Sequence, residues 1–230
     1  MEPSASVYTS FTLRLYDLVV LTISNLFAWR CPTRSILLPH YVHHVKESAA
    51  HLEIGAGTGY YPAAAASSNA LSKTRLITLC DLNPTTLLYS RRRLANAGYR
   101  DTIETLVHNV FQPLPKDMHS KYDSIVLYYL FHCLPGAFPQ KAKDVLANVV
   151  PALSPNGVVY GSTILGQGVT HNWLGSWLMK LYNKKGIFGN AGDSETGLRQ
   201  ALDEVFEEWS VKVVGVVALF EGRKPRASKF

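Results

Sequence analysis

Two acidic residues flanking three alternating glycines form the most informative spacing in the chain. Glu53 ends a short apolar run and precedes Gly55, Gly57 and Gly59, and Asp81 lies 22 residues after the last glycine. Glycines permit positive φ angles and leave room for a ligand close to the backbone. Asp81 stands at the end of the next predicted strand, where its carboxylate can accept both hydroxyls of a ribose. The pattern therefore predicts a site for a nucleoside-containing cofactor.

Tyr60 argues against a dinucleotide in this site. The dinucleotide fingerprint G-x-G-x-x-G would need glycine at position 60, and a tyrosine there would crowd a pyrophosphate at the start of the helix. The chain also lacks the Tyr-x-x-x-Lys pair of short-chain dehydrogenases, and the loop follows two predicted helices instead of opening the chain.

His132 is the candidate general base. It follows an apolar strand at the carboxyl edge of the predicted sheet, where ligands bind, and an ordinary histidine pKa of about 6.5 suits proton transfer at neutral pH. A structural role in capping the next turn is the alternative. No metal site is predicted, because His40 and His44 share a helix face with no evident cysteine or acidic partner.

Aromatic and amide side chains recur in the N-terminal segment and in residues 166–193. Those predicted to contact the substrate are Tyr16, Trp29, His171, Trp173, Tyr182, Asn183 and Asn190. Such a set suits a flat, mostly apolar molecule. For Tyr182, packing on the buried face of a helix is the alternative.

The order of predicted elements indicates an α/β fold. The predicted helices cover residues 9–29, 35–47, 84–96, 139–150 and 194–207, with one more after the glycine loop. The predicted strands cover residues 50–54, 75–80, 103–108, 122–129, 158–163, 209–214 and 216–221. Alternating strands and helices predict a parallel sheet with helices on both faces. The last two strands have no crossover helix between them and predict an antiparallel hairpin.

The 230 residues suit one domain, and 47% of them are hydrophobic, enough for a single core. We expect this domain, residues 1–230, to have four parts. These are a helical lid at 1–47, a cofactor-binding core at 48–165, an inserted substrate cap at 166–193, and a C-terminal helix and hairpin at 194–230.

The motifs of residues 48–165 resemble those of class I S-adenosylmethionine-dependent methyltransferases. The resemblance rests on Glu53-x-Gly55-x-Gly57-x-Gly59, on Asp81, on the strand-end Asn109 and on the strand that begins Tyr122-Asp123. Residues 132–136 and 182–190 resemble a subgroup of small microbial methyltransferases, some associated with secondary metabolism. The resemblance implies a doubly wound, seven-stranded, mostly parallel sheet of the Rossmann-like type, with an N-terminal helical lid.

The same resemblance implies S-adenosylmethionine as cofactor and S-adenosylhomocysteine as product. The implied cofactor-binding residues are Glu53, Gly55, Ala56, Gly57, Gly59, Asp81, Leu82, Asn109, Val110 and Tyr128. The glycines would face the methionine part, Asp81 the ribose, and Tyr128 the sulfonium, while Leu82, Asn109 and Val110 would surround the adenine. Many family members have aspartate at the Asn109 position, and an asparagine carbonyl accepts the same hydrogen bond. Loop capping is the alternative role for Glu53 and Asp81.

The resemblance implies methyl transfer to a small, largely apolar acceptor, with oxygen or nitrogen favoured. Because the sulfonium is already activated, alignment of the reacting atoms supplies most of the rate. Two alternatives stay open. One is a cyclase or pericyclase that binds the cofactor without transferring its methyl group, and the other is a non-catalytic binding subunit.

Charge and cysteine content narrow the partners and the compartment. The net charge of +6 includes Arg91-Arg92-Arg93 and the basic C-terminal tail. Aromatic residues do not alternate with these charges as they do in nucleic-acid sites, so no nucleic-acid partner is predicted. Three cysteines with no CxxC pair and no secretory signal predict a reducing, cytoplasmic location. The apolar stretch 11–29 contains Arg14 and Asp17, which predicts an amphipathic or buried helix, without stable membrane insertion. We expect a monomer or a homodimer.

Overall fold

A seven-stranded sheet organises residues 17–226, the part of the chain that the computed structural model describes. Its strands are β1 (Ala50–Ile54), β2 (Leu76–Asp81), β3 (Thr102–Val107), β4 (Tyr122–Tyr128), β5 (Leu153–Ile164), β6 (Phe206–Val214) and β7 (Val217–Pro225). The strand order is β3-β2-β1-β4-β5-β7-β6. Strands β1 to β5 pair in parallel, and β7 runs antiparallel to both β5 and β6. The predicted fold class is confirmed.

Helices cover both faces of this sheet. They are α1 (Asp17–Ala28), α2 (Leu38–Val45), α3 (Tyr60–Ser67), α4 (Pro84–Asn96), α5 (Gln140–Val149), α6 (Trp173–Lys184) and α7 (Glu195–Val205). The bonding in α1 is of the wide π type, and the same type of turn, Thr33–Leu37, leads into α2. Within residues 17–226, no helix combines the length and apolarity needed to cross a bilayer.

Side-chain caps explain where three of these helices begin. The side-chain oxygen of Asn83 accepts a hydrogen bond from the backbone of α4, and those of Asn172 and Ser194 do the same for α6 and α7. One apolar core lies between the sheet and α5 and α7, and a second lies between the sheet and helices α2, α3 and α4. This division is the physical basis of the doubly wound arrangement.

Among the element boundaries that differ from the prediction, two have a clear physical reason. The residues 154–157, predicted as a turn before the fifth strand, lie inside β5, where the pairing with β4 shifts between Tyr122 and Ser124. The Ser154 hydroxyl donates to the Asp123 carboxylate at 3.0 Å and holds this irregular segment on the sheet. Strand β6 begins at Phe206 and not at position 209, because the fully buried Phe206 ring joins the core directly after α7 ends.

Candidate cofactor and acceptor site

The glycine loop connects β1 to α3 and is fastened to the neighbouring strand. The backbone amides of Gly55 and Ala56 donate to the carbonyl of Cys80 at the end of β2, at 2.8 and 3.1 Å. Gly59 has a φ of +65°, and a Cβ atom added there would lie 2.7 Å from the Cβ of Ser90 on α4. Glycine at this position therefore lets α3 begin against α4.

Asp81 points at this loop from the end of β2. One carboxylate oxygen accepts the backbone amide of Gly57 at 3.2 Å, and the other accepts that of Asn83 at 2.9 Å. Burial raises the pKa of Asp81 above its ordinary value, and the three backbone hydrogen bonds oppose that effect. An ionised Asp81 is thus a preorganised acceptor at the mouth of the loop.

A cavity of about 140 Å³ opens beside Asp81. Its walls include Gly55, Asp81, Leu82, Asn109 and Val110, all predicted to bind the cofactor. A carboxylate next to apolar walls suits a ribose joined to a flat heterocycle, so the residues present fit the adenosine part of S-adenosylmethionine. The Asn109 side-chain carbonyl accepts the amide of Phe111 at 3.0 Å, which orients it within the loop.

A smaller cavity of about 70 Å³ adjoins the first across Gly55, and Glu53, Ala56, Gly57 and Tyr128 line it. Glu53 is almost fully buried and accepts a hydrogen bond from the Tyr41 hydroxyl. His51 contacts the same carboxylate oxygen, with its Nε2 at 2.9 Å from Glu53 Oε1 and 3.2 Å from the Tyr41 hydroxyl. Because these bonds fix Glu53, a role in supporting the loop fits the geometry directly.

The Tyr128 hydroxyl is engaged with the segment that forms α2. It lies 2.6 Å from Nδ1 of His40 and donates to the Leu37 carbonyl at 3.1 Å. Burial lowers the pKa of His40 to about 4, so its ring is neutral at physiological pH. The Tyr128 ring lines the smaller cavity, while its hydroxyl anchors the N-terminal helices to the sheet.

A third cavity, of about 190 Å³, lies between α1, α6 and the helical turn Phe131–Cys133. Three residues of the sequence prediction, Trp29, His132 and Tyr182, line it. His132 is buried, and its ring packs against that of Phe188 with a centroid distance of 4.5 Å. Burial, with a smaller contribution from Lys141, lowers the pKa of His132 to about 3. The imidazole is therefore neutral, and its Nδ1 has no hydrogen-bond partner among residues 17–226.

Tyr129 is the residue that the sequence analysis missed. It lines all three cavities, so it stands where the two cavities beside the glycine loop meet the third. Its φ of +54° is unusual for a residue with a side chain, and its amide donates to the Ser162 carbonyl at 2.8 Å. Strained backbone of this kind is common at functional sites. The one sequence signal available for Tyr129 was its position at the end of an apolar strand.

Several predicted substrate residues lie away from the third cavity. Trp173 is 81% exposed and points outward, whereas Asn190 is fully buried, with its amide donating to the Ile164 carbonyl at 2.9 Å. Asn183 donates to the Met179 carbonyl and to Asn190 Oδ1. His171 lies 2.9 Å from the Leu165 carbonyl and packs edge-on behind Trp29. Their contact with substrate stays a prediction that this geometry does not favour, and Tyr16 lies outside the described residues.

A buried ion pair fastens residues 189–193 to the turn that carries His132. The Lys141 ammonium lies 2.7 Å from Asp193 Oδ2, with both side chains fully buried, and also donates to the Gly189 carbonyl at 3.0 Å. The Gly189 amide in turn donates to the His132 carbonyl at 2.8 Å. Among residues 17–226, no cluster of three or more His, Cys, Asp or Glu side chains could hold a metal ion.

Comparisons with known proteins give one consistent result. Residues 52–159 match a family model described as a methyltransferase domain. The Physcion biosynthesis cluster O-methyltransferase of Aspergillus chevalieri is 39% identical over 98% of this chain and 96% of its own length. Methyltransferase verB of Penicillium polonicum is 38% identical over 98% of this chain and 100% of its own.

The solved structure of PigF with SAH (S-adenosylhomocysteine) shares the fold. Its TM-score is 0.56 at 23% identity, over 82% of this chain and 55% of that one. S-adenosylmethionine, the cofactor that the family resemblance implied, is confirmed. The chain belongs to the class I S-adenosylmethionine-dependent methyltransferases and is an enzyme of methyl transfer.

Proposed function

We propose that this enzyme methylates the hydroxyl oxygen of a small, flat aromatic acceptor bound in the cavity between α1 and α6. The observation that carries the proposal is the position of Tyr129, which lines this cavity and both parts of the cofactor cleft. An acceptor in the cavity therefore lies beside the methyl donor. Such contact is the main requirement for transfer from an activated sulfonium.

The walls of the cavity favour an aromatic acceptor. Its lining includes the apolar side chains of Trp29, Tyr182, Ile187 and Phe188, and the Trp29 and Phe188 rings lie 6.1 Å apart between centroids. Residues 166–193, the cap of our sequence analysis, supply the last three of these four side chains. We therefore propose that this segment determines the shape of the acceptor that the enzyme binds.

His132 provides the polar contact for the reacting hydroxyl. Its neutral imidazole accepts a hydrogen bond from the acceptor O–H and so points an oxygen lone pair toward the cofactor cleft. When bound, the cofactor supplies an electrophilic methyl group. The hydroxyl becomes strongly acidic as its oxygen is alkylated, and even a ring whose pKa is lowered to about 3 then takes the proton. His132 thus orients the acceptor first and accepts a proton late in the transfer.

Oxygen is favoured over nitrogen by the relatives. The Aspergillus chevalieri protein is named an O-methyltransferase of a physcion biosynthesis cluster, and it matches this chain over nearly its full length. By analogy we place the reaction in secondary metabolism. Cys31, Cys80 and Cys133 are free, which supports a reducing compartment, and we propose the cytoplasm for a monomer or homodimer.

The test is an assay of the purified full chain with S-adenosylmethionine and pairs of naphthalenes that carry either a hydroxyl or an amino group. We expect methyl ethers from the naphthols and no product from the naphthylamines. Replacing His132 by Gln should lower kcat about 10- to 100-fold without changing S-adenosylhomocysteine affinity. Trp177→Ala, a change on the exposed face of α6, is the matched control and should keep full turnover. Methylation of the amines alone would refute the proposal.

A further inference from the structure

Asn25 is a polar side chain buried in the wall of the acceptor cavity. It is fully buried on α1 and lines the same cavity as His132. Its Nδ2 donates to Thr33 Oγ1 at 2.8 Å, whereas its Oδ1 has no hydrogen-bond partner among residues 17–226. Leaving a buried amide oxygen without a partner is unfavourable, so a group that binds this oxygen adds affinity.

Two hydrogen bonds fix the backbone around Asn25. The Asn25 carbonyl accepts the amide of Cys31 at 2.8 Å, and the preceding carbonyl, of Ser24, accepts that of Trp29 at 2.8 Å. The first bond spans six residues and the second spans five, the spacing of the wide π type, which often occurs at functional sites. Because Thr33 binds the nitrogen end of the amide, the orientation of the free oxygen is fixed.

We infer that Asn25 recognises a second hydroxyl of the acceptor, so that the substrate is an aromatic compound with at least two hydroxyl groups. One hydroxyl is bound by His132 and methylated, and the other donates to Asn25 Oδ1. This inference rests on the proposed function of the cavity. It adds a specificity residue on α1 that the sequence motifs do not reveal, since Asn25 lies outside the cofactor-binding core.

The expected selectivity follows from the burial of the unpaired oxygen. A monohydroxy acceptor fills the apolar part of the cavity but leaves Asn25 Oδ1 without a donor, whereas a dihydroxy acceptor satisfies it. A site built to bind a hydroxyl discriminates strongly against the analogue that lacks it. We expect at least one dihydroxy isomer to bind about 10- to 100-fold more tightly than the matched monohydroxy compound.

Calorimetry on the full chain saturated with S-adenosylhomocysteine measures this preference for a dihydroxy acceptor without turnover. The probes are 1-naphthol and 2-naphthol, compared with the 1,3-, 1,6- and 2,7-dihydroxynaphthalenes. Asn25→Leu should abolish the preference for the dihydroxy compound and leave naphthol affinity within about twofold. Thr33→Ser is the matched control, since it keeps the hydroxyl that binds Nδ2, and with it the orientation of Oδ1, and should retain the preference. Asn25→Asp, which keeps an acceptor oxygen, should also retain it, and it serves if the Leu variant does not fold.

The outcomes separate this inference from the proposed function. If the wild-type protein binds all naphthols and dihydroxynaphthalenes equally, or if Asn25→Leu weakens both classes by the same factor, the inference is overturned while oxygen methylation stands. If dihydroxy compounds bind preferentially through Asn25 but no methyl ether forms, the proposed function fails and the recognition by Asn25 stands. Preferential binding that Asn25→Leu removes, together with methyl ether formation, supports both.

Discussion

Substitution of Gly59 by alanine tests the packing that forms the cofactor loop. Gly59 has a φ of +65°, and an added Cβ would lie 2.7 Å from the Cβ and 2.9 Å from the Cα of Ser90. The second atom belongs to the backbone of α4 and cannot rotate away. Gly186 is the matched control, because its φ is +68° and an added Cβ there meets no atom within 4 Å.

Both substitutions place an alanine at a positive φ, but only Gly59→Ala adds a steric clash. A positive φ costs an alanine about 1–2 kcal/mol, and overpacking a close contact adds about 1–3 kcal/mol. We therefore expect Gly59→Ala to lower the free energy of unfolding by about 2–5 kcal/mol. Gly186→Ala should lower it by about 1–2 kcal/mol, from the φ term alone.

Urea unfolding of both variants, with calorimetric titration of S-adenosylhomocysteine, measures this difference. Relief of the clash requires α3 to move away from α4, and that movement displaces the loop that faces the cofactor. We expect weaker cofactor binding in Gly59→Ala and unchanged binding in Gly186→Ala. Equal losses of stability in the two variants, or unchanged cofactor affinity in Gly59→Ala, would refute the packing explanation of this glycine.

Three further predictions concern charged and titratable groups. Asp81→Ala should weaken S-adenosylhomocysteine binding at least tenfold. In the wild type, acidification protonates Asp81 and should weaken this binding. Because burial raises the Asp81 pKa, the loss should begin at a higher pH than the ordinary pKa of an aspartate would give. Lys141→Met should destabilise the fold by about 3–5 kcal/mol, because it leaves Asp193 buried without its partner. Because folded His132 stays neutral, the free energy of unfolding should decrease as the pH falls from about 6.5 toward 3, by up to about 1.4 kcal/mol per pH unit.

The sign of the last effect follows from proton binding. The unfolded chain binds a proton at His132 below its ordinary pKa of 6.5, whereas the folded chain stays neutral down to about 3, so acid favours unfolding. Chemical denaturation at several pH values should show a shallower pH slope for His132→Gln than for wild type. An identical slope would contradict the lowered pKa. For the ion pair, Lys141→Met with Asp193→Leu should regain stability, and a double variant as unstable as the single one would contradict the pairing.

The cofactor half of the site could be predicted because its signals are local in sequence. The glycines of the loop and Asp81 need only the order of two strands and one helix to come together, and a parallel sheet fixes that order. The same local reasoning gave most strand positions. It failed at residues 154–157, where turn-forming residues lie within β5 because Asp123 and the pairing with β4 hold them there.

The acceptor half depends on contacts between distant parts of the chain. Composition indicated aromatic and amide residues correctly as a class, yet Trp173 and Asn190 differ completely in exposure, and neither lines the cavity. The side of α6 that faces inward depends on the rotation of the helix and on its packing against the rest of the chain. No local sequence pattern gives these two quantities. Tyr129 was missed because a positive φ at a strand end leaves no mark in residue type.

Transfer of an isotopically labelled methyl group is the most direct test of the central claim. The full chain would be incubated with S-adenosyl-[methyl-¹³C]methionine and the dihydroxynaphthalene that binds best, and the product examined by NMR. We predict one labelled methyl group bonded to oxygen, formed by the wild-type protein and strongly reduced in Asp81→Ala. Label on carbon, or a bound cofactor that keeps its label with every hydroxylated acceptor, would contradict methyl transfer to oxygen in this cavity.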